Sequence, residues 1–261
     1  MKLTIALIIP IYNAGEFLKP CLDSVARQTI PPDEVILIDD VSNDGKHIYT
    51  LDYATKHNWI YWRNLYNLGP AASRNIGIRY SESSYFTFLD ADDELMPDAI
   101  EKMKKAIAWR PNATMLQFNH VRHYIDKNKT ITKANLSAKR DIRQLDIDKK
   151  PYCKYWYGVW NKCFKRGEDP IMFNENLRYG EDALFIIERL LNNEYIHTIN
   201  DTTVKHNLGK KDSLIHTKTR EDIQKFYNAY RNLLFKENCD SFAKIKAIVT
   251  LMEQLVTTYG L

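Results

Sequence analysis

A chain of 261 residues, 44% of them hydrophobic, has material for one large or two small domains around a sizeable core. Its net charge of +4 makes it only mildly basic as a whole. Cys21, Cys153, Cys163 and Cys239 show no Cys-x-x-Cys pair and no histidine at zinc-finger spacing, which excludes a zinc module or a disulfide framework and leaves a reducing, cytoplasmic setting as the default.

The chain starts with Met1-Lys2 and an apolar run from Leu3 that meets Pro10 without a small-residue cleavage site, so it is expected to be a core strand and not a signal peptide. No run approaches ~18 apolar residues, and no membrane span is expected. A peripheral membrane contact stays open. Leu3 to Ile9 has the β-branched pattern of a strand buried on both faces, ended by Pro10. Phe17, Leu18, Cys21, Leu22 and Val25 then recur at helical spacing until Pro31-Pro32. Glu34 to Asp39 is a second buried strand running into Asp40. A right-handed strand–helix–strand unit places both strand ends at one edge, so Tyr12, Asn13, Asp39 and Asp40 are expected around one crevice.

A polar helix to about His57 and a strand from Trp59 to Arg63 follow. Gly69-Pro70 turns the chain into a helix carrying Arg74. A helix N-terminus beside a guanidinium favours phosphate, while a capped helix with a surface arginine explains the same residues equally well. The fourth strand, Tyr85 to Leu89, breaks off into Asp90-Ala91-Asp92-Asp93. In extended chain Asp90 and Asp92 share a face and Asp93 points across. Clustered carboxylates call for a cation, and their hard oxygens suit Mg²⁺ or Mn²⁺, although an isolated Asp-x-Asp is more often a solvated turn or a cap. Strands alternating with helices predict a three-layer α/β domain that binds ligands outside the carboxyl ends of its strands.

Pro97 to Pro111 bounds a helix carrying Ile100, Met103 and Ile107, and Met115 to Phe118 reads as another strand. Between His120 and Gly167 there are 13 lysines and arginines against 4 aspartates, a net of +9 that leaves the rest of the chain at −5. Residues 121–150 are expected to form a solvated basic loop, with an acceptor platform as the alternative. Tyr152 to Phe164 interleaves aromatic residues with Lys154 and Lys162, which suits sugar rings, nucleobases or phosphates, though core filling explains any single aromatic. Tyr179-Gly180-Glu181-Asp182 opens a helix with Leu184, Ile187, Leu190 and Leu191 on one face; acids there ordinarily answer the helix dipole. Val204 to His216 is expected to be a polar loop, with His206 weighed as a metal ligand and Lys210, Lys211 and Ser213 as phosphate contacts. Thr219 to Asn238 and Ser241 to Thr258 have the periodicity of two amphipathic helices, expected to pair.

Ile8-Ile9-Pro10-Ile11-Tyr12-Asn13, Ile38-Asp39-Asp40-Val41-Ser42-Asn43-Asp44, Asn67-Leu68-Gly69 with Ser73-Arg74-Asn75-Ile76-Gly77, and Phe88-Leu89-Asp90-Ala91-Asp92-Asp93 succeed one another as in inverting family 2 glycosyltransferases. The combination resembles that family over about the first 110 residues and implies its GT-A fold: a Rossmann-like mixed sheet with helices on both faces, here with a C-terminal helical pair. By this resemblance Tyr12 and Asp40 hold the base of a nucleotide sugar, usually uracil. Arg74 reaches the diphosphate or ribose, Asp90 the ribose or sugar, and Asp92 the metal. Pro10, Asn13, Asp39, Asn67, Gly69 and Ala91 belong to the same donor motifs, and Asp90 and Asp93 to the metal cluster. Trp160-Asn161-Lys162 resembles the Trp-x-Lys stretch beside the acceptor. Glu181-Asp182 resembles the general-base pair, with Asp182 as base and Glu181 as second choice or orienting partner. Val41 departs from the family, which commonly has glycine there.

The expected organisation is a nucleotide-sugar-binding half at 1–110, an acceptor-binding and catalytic half of the same domain at 111–217, and a helical hairpin at 218–261. The expected function is metal-dependent, inverting sugar transfer from a nucleotide donor, a UDP-sugar first, to a hydroxyl of a bacterial surface or lipid-linked saccharide. Two alternatives are a modified base in DNA, reached through the basic 120–167 segment, and a noncatalytic nucleotide-sugar or glycan-binding module. Oligomeric state is left open.

Overall fold

The computed structural model describes residues 3–127, 129–133, 158–168, 170–192, 194, 196–209 and 219–236. Among the described residues nine strands form one mixed sheet in the order β3-β2-β1-β4-β8-β6-β9-β5, with β7 paired to β6. The strands are β1 (Ile5–Ile11), β2 (Glu34–Asp39), β3 (Ile60–Arg63), β4 (Tyr85–Phe88), β5 (Glu94–Leu95), β6 (Met115–Tyr124), β7 (Lys129–Lys133), β8 (Lys162–Lys165) and β9 (Ile196–Leu208). The helices are α1 (Leu18–Ala26), α2 (His47–His57), α3 (Gly69–Tyr80), α4 (Ala99–Trp109), α5 (Glu181–Leu191) and α6 (Arg220–Lys236).

The sheet is buried on both sides because successive strand residues point to opposite faces. Leu7, Ile9 and Leu37 pack with Leu22 of α1 and with Met103 and Ile107 of α4. Ile8, Ile36 and Phe86 pack the other way, with Ile78 of α3, Phe185 of α5 and Phe226 of α6. This is the expected three-layer arrangement, and β1, β2, β3 and β4 run parallel, so their carboxyl ends share one edge. Among the described residues no helix is long and apolar enough to cross a membrane.

Pro10 does not end β1. The strand continues to Ile11, with Pro10 in register with Ile38. Even-numbered residues of β1 turn their peptide groups toward β4, whose last contact is the Leu89 N–H on the Ile8 carbonyl, so the missing N–H of Pro10 faces no ladder.

Two polar stretches expected as loops are in part strands. Val121–Tyr124 at the end of β6 pairs antiparallel with β7, and Val204–Leu208 completes β9, which pairs with both β6 and β5. The polar side chains of β9 obscured its strand character because several of them serve the site and not the solvent. The remainder of the basic segment, Tyr152 to Tyr157, Lys210, Lys211, Ser213 and the expected second C-terminal helix lie outside the described residues. In the first C-terminal helix Ile223, Phe226 and Tyr230 are buried against the core beside α5, and Tyr227 is half-buried.

Candidate active site

The turn after β2 is fixed by its own acids. Asp39 is buried: its Oδ2 accepts from Arg63 Nη1 at 2.8 Å and from the Tyr61 hydroxyl at 3.0 Å, and its Oδ1 accepts the Ser42 N–H at 2.8 Å. Asp40 accepts the N–H groups of Leu68 and Gly69, both at 2.8 Å, and the Asn64 amide at 2.8 Å. It thereby caps α3, which has no side-chain cap on its own N-terminal residue. Asn67 reaches the Asp40 carbonyl at 3.4 Å, and Asn13 is tied to the same turn through Ser42 and Asn43. Tyr12 stands at the rim, 54% exposed. The expected group of Pro10, Tyr12, Asn13, Asp39, Asp40, Asn67 and Gly69 therefore does meet at one edge.

Asp90 to Asp93 are not in extended chain. The strand stops at Phe88, and the Asp93 N–H returns to the Asp90 carbonyl at 2.9 Å, folding Ala91 and Asp92 into a turn. The alternation expected of a strand is thus replaced by a turn in which all three carboxylates converge, each offering an oxygen within 4.8 Å of the others. Asp93 is wholly buried; its Oδ1 accepts the Asn207 N–H at 2.8 Å and its Oδ2 lies 2.7 Å from His206 Nδ1. Burial pushes the Asp93 carboxyl up to about 6 against the pull of His206, with Asp92 and Asp90 adding to the rise. For His206 burial acts downward, but Asp93 outweighs it and the imidazole pKa is raised. A set of hard oxygen donors of this kind fits Mg²⁺ or Mn²⁺. The half-buried Asp90 and Asp92 form its open side. His206 is not part of the carboxylate cluster: it stands behind Asp93, in the position of a residue that orients a ligand.

Arg74 connects this cluster to the acids that open α5. Arg74, 4% exposed as a residue, places Nη2 3.0 Å from Asp90 Oδ1 and Nη1 3.0 Å from Glu181 Oε1 and 2.9 Å from Asp182 Oδ1. Burial opposes its charge, yet Asp182, Asp90 and Glu181 together hold its pKa above the ordinary value. Three carboxylates around one cation leave an excess of negative charge in a desolvated place. Burial accordingly pushes Asp182 up to about 7, with Arg74 opposing and Glu181 and Asp90 contributing, and it raises Glu181 for the same reasons.

The expected acceptor residues are placed differently. Trp160 is half-buried and lays its ring on His206, 4.5 Å between centroids and 12° from parallel, with His120 edge-on at 4.8 Å. Lys162 is 0% exposed on β8, its Nζ bound to the Gly158 carbonyl at 2.6 Å and to Asn161 Oδ1 at 3.1 Å. The strand register turns it inward, because Lys162 shares the face of Phe164 two residues on, and Phe164 lies in the core. The sequence reading missed Asn207, which donates to both Asp92 and Asp93, and Asn64, which holds Asp40. A polar residue next to His206 is the only signal Asn207 offers.

The glycosyl transferase family 2 model matches residues 6–164. EpsJ of Bacillus subtilis (strain 168), an uncharacterized glycosyltransferase, is 25% identical over 189 residues, covering 69% of this chain and 54% of EpsJ. The minor teichoic acid biosynthesis protein GgaB of the same organism is 29% identical over 185 residues, covering 69% of this chain and 20% of GgaB. The chain thus spans about half the length of one relative and a fifth of the other. The crystal structure of S. aureus TarS residues 1–349 in complex with UDP-GlcNAc matches with a TM-score of 0.77 at 20% identity, covering 99% of this chain and 75% of that one, so the fold is of the GT-A kind. With 159 consecutive residues matched by the family model and the motif-bearing turns assembled at one sheet edge, the chain belongs to glycosyl transferase family 2.

Proposed function

We propose that this protein is a metal-dependent, inverting glycosyltransferase that uses a UDP-sugar and delivers the sugar to a hydroxyl of an anionic surface or lipid-linked saccharide at the cytoplasmic side of a membrane. One observation carries the reading: Arg74 pairs with both Asp90 and Asp182, so the acids suited to a donor and the acid suited to a base stand around one guanidinium. Asp90 and Asp92 would hold Mn²⁺ or Mg²⁺, which supplies neutralisation of the departing diphosphate. Asp182 takes the proton of the acceptor hydroxyl while that oxygen bonds to the anomeric carbon and the carbon–diphosphate bond breaks on the opposite side. One displacement inverts the configuration. Tyr12, beside the capped turn at Asp40, is exposed where a base can stack. The charge of the 120–167 segment and the teichoic acid pathway in the name of GgaB support an anionic acceptor.

The test is UDP release from a panel of UDP-sugars with Mn²⁺, with polyol-phosphate oligomers and duplex DNA as acceptors. Release that requires Mn²⁺ and is lost in Asp182→Asn, while UDP still binds, supports transfer. Nucleotide binding without any release would make the protein a binding module. Transfer to DNA alone would reassign the acceptor.

A further inference from the structure

We propose that Asn75 is a positioning residue for this reaction: by clasping the backbone of Phe173 it fixes the aromatic ring on which the Arg74 guanidinium lies, and with it the spacing of Asp90 and Asp182. The inference rests on the transferase reading and gives a part to a side chain that bonds to none of the acids around Arg74.

Residues 171–174 are neither helix nor strand, so their backbone groups need partners from elsewhere. Asn75, 1% exposed on α3, supplies them at one residue: its Oδ1 accepts the Phe173 N–H at 2.8 Å and its Nδ2 donates to the Phe173 carbonyl at 2.9 Å. Nδ2 also donates to Glu175 Oε1 at 2.8 Å. α3 is itself seated hard on the sheet, since a Cβ on Gly77 would collide with Ile8 of β1. The segment is therefore fastened to a fixed support.

Phe173 carries that support to the site. Its ring centroid lies 5.5 Å from Arg74 Cζ, and the ring stacks on Phe185 of α5 at 4.1 Å and 3° from parallel. Phe88 completes the group, edge-to-face with Phe173 at 5.4 Å and 6.0 Å from Arg74 Cζ. Phe185 and Asp182 are three positions apart on α5 and so share a side of that helix. Phe173 is thus wedged between the cation and the helix that presents the acids. The rings matter because hydrogen bonds hold only part of the guanidinium: Nη1 and Nη2 meet the acids, whereas Nε is buried without a hydrogen-bond partner among the described residues. The lie of its plane is left to the aromatic faces. A bond that merely fastened a loop would accept any apolar residue at 173, whereas the cation–ring contact requires an aromatic one.

Asn75→Leu keeps the outline of the amide without its hydrogen bonds, and Phe173→Leu keeps an apolar side chain without the ring. With UDP-GlcNAc and Mn²⁺, each should lower kcat for UDP release by about 10- to 100-fold, the scale of a displaced catalytic group, and change KM less. The double variant should lose no more than the poorer single, since both act by one route. Asn75→Ser, whose hydroxyl can still accept the Phe173 N–H, should recover part of the rate, and it carries the test if the leucine variant does not fold. Glu34 is the control. At the start of β2, the end away from Asp39, it clasps the N–H groups of Glu82 and Ser83 at 3.1 and 3.0 Å, so Glu34→Met should melt lower and keep its kcat. Melting temperature also reads the clasp without turnover: the loss on Asn75→Leu should be smaller in an Arg74→Lys background, where no planar cation rests on the ring. A folded Asn75→Leu with wild-type kcat overturns the proposal, as do additive losses in the double variant or an equal fall of kcat in Glu34→Met. A wild-type protein that neither binds nor cleaves UDP-sugars would instead defeat the transferase reading, and the melting comparison would still decide whether Asn75 acts on Arg74.

Discussion

Gly180 and Phe226 are packed so closely that a Cβ on Gly180 would lie 2.5 Å from the Phe226 ring. Gly180 also has φ +78°, a left-handed conformation costly for any other residue, and it immediately precedes Glu181 and Asp182. α6 is therefore part of what sets the direction of the acid pair. Gly180→Ala should lose about 2–4 kcal/mol, combining left-handed strain with overpacking, and should lower activity more than UDP affinity. Urea denaturation and calorimetric UDP titration measure the two effects separately.

Arg74 is the cation that Asp90, Glu181 and Asp182 share. Arg74→Met should cost about 3–5 kcal/mol, the usual penalty for stranding buried charge, unless the acids take up protons. Proton uptake leads to a second expectation: without its opposing cation Asp182 should titrate above its present value of about 7, and any residual activity should require more alkaline pH.

Asp182 links activity and stability with opposite signs. Its carboxyl is raised by burial from 3.8 to about 7, so the folded chain retains a proton that the unfolded chain releases between those values. Wild-type stability from this group is full below the lower value and is lost as pH rises through the upper one. Activity follows the deprotonated form and should rise through about pH 7. Asp182→Asn should abolish transfer yet melt higher than wild type at pH 8, the difference shrinking toward pH 4. Thermal melts across that range test the sign.

Val41 occupies φ +62°, a conformation in which a β-branched residue is a true outlier. The turn holds it there through the Ser42 N–H on Asp39 and the Arg63 bond to the Ser42 carbonyl. Val41→Gly should relieve strain of about 1–2 kcal/mol and lose part of that to chain entropy, for a net gain of up to about 1 kcal/mol. A raised melting temperature with an intact far-UV spectrum would be the expected result.

Much of this protein follows from local pattern. The β-branched runs of β1, β2 and β4, the helix punctuation at Gly69-Pro70 and Pro97, and the acids that terminate the strands are properties of short segments, and periodicity with a chirality rule is enough to bring Tyr12, Asp39, Asp40 and Asp90 to one edge. Tertiary structure decided the rest, because the deciding contacts join residues far apart in the chain. The Arg74 bonds to Asp90 and Glu181 span 16 and 107 positions, and the His206–Asp93 bond spans 113. Lys162 looks like a surface cation in sequence and is enclosed only because β8 runs antiparallel between β4 and β6. Residue type announces which chemistry is available, whereas burial and distant partners determine which charge stays free to react.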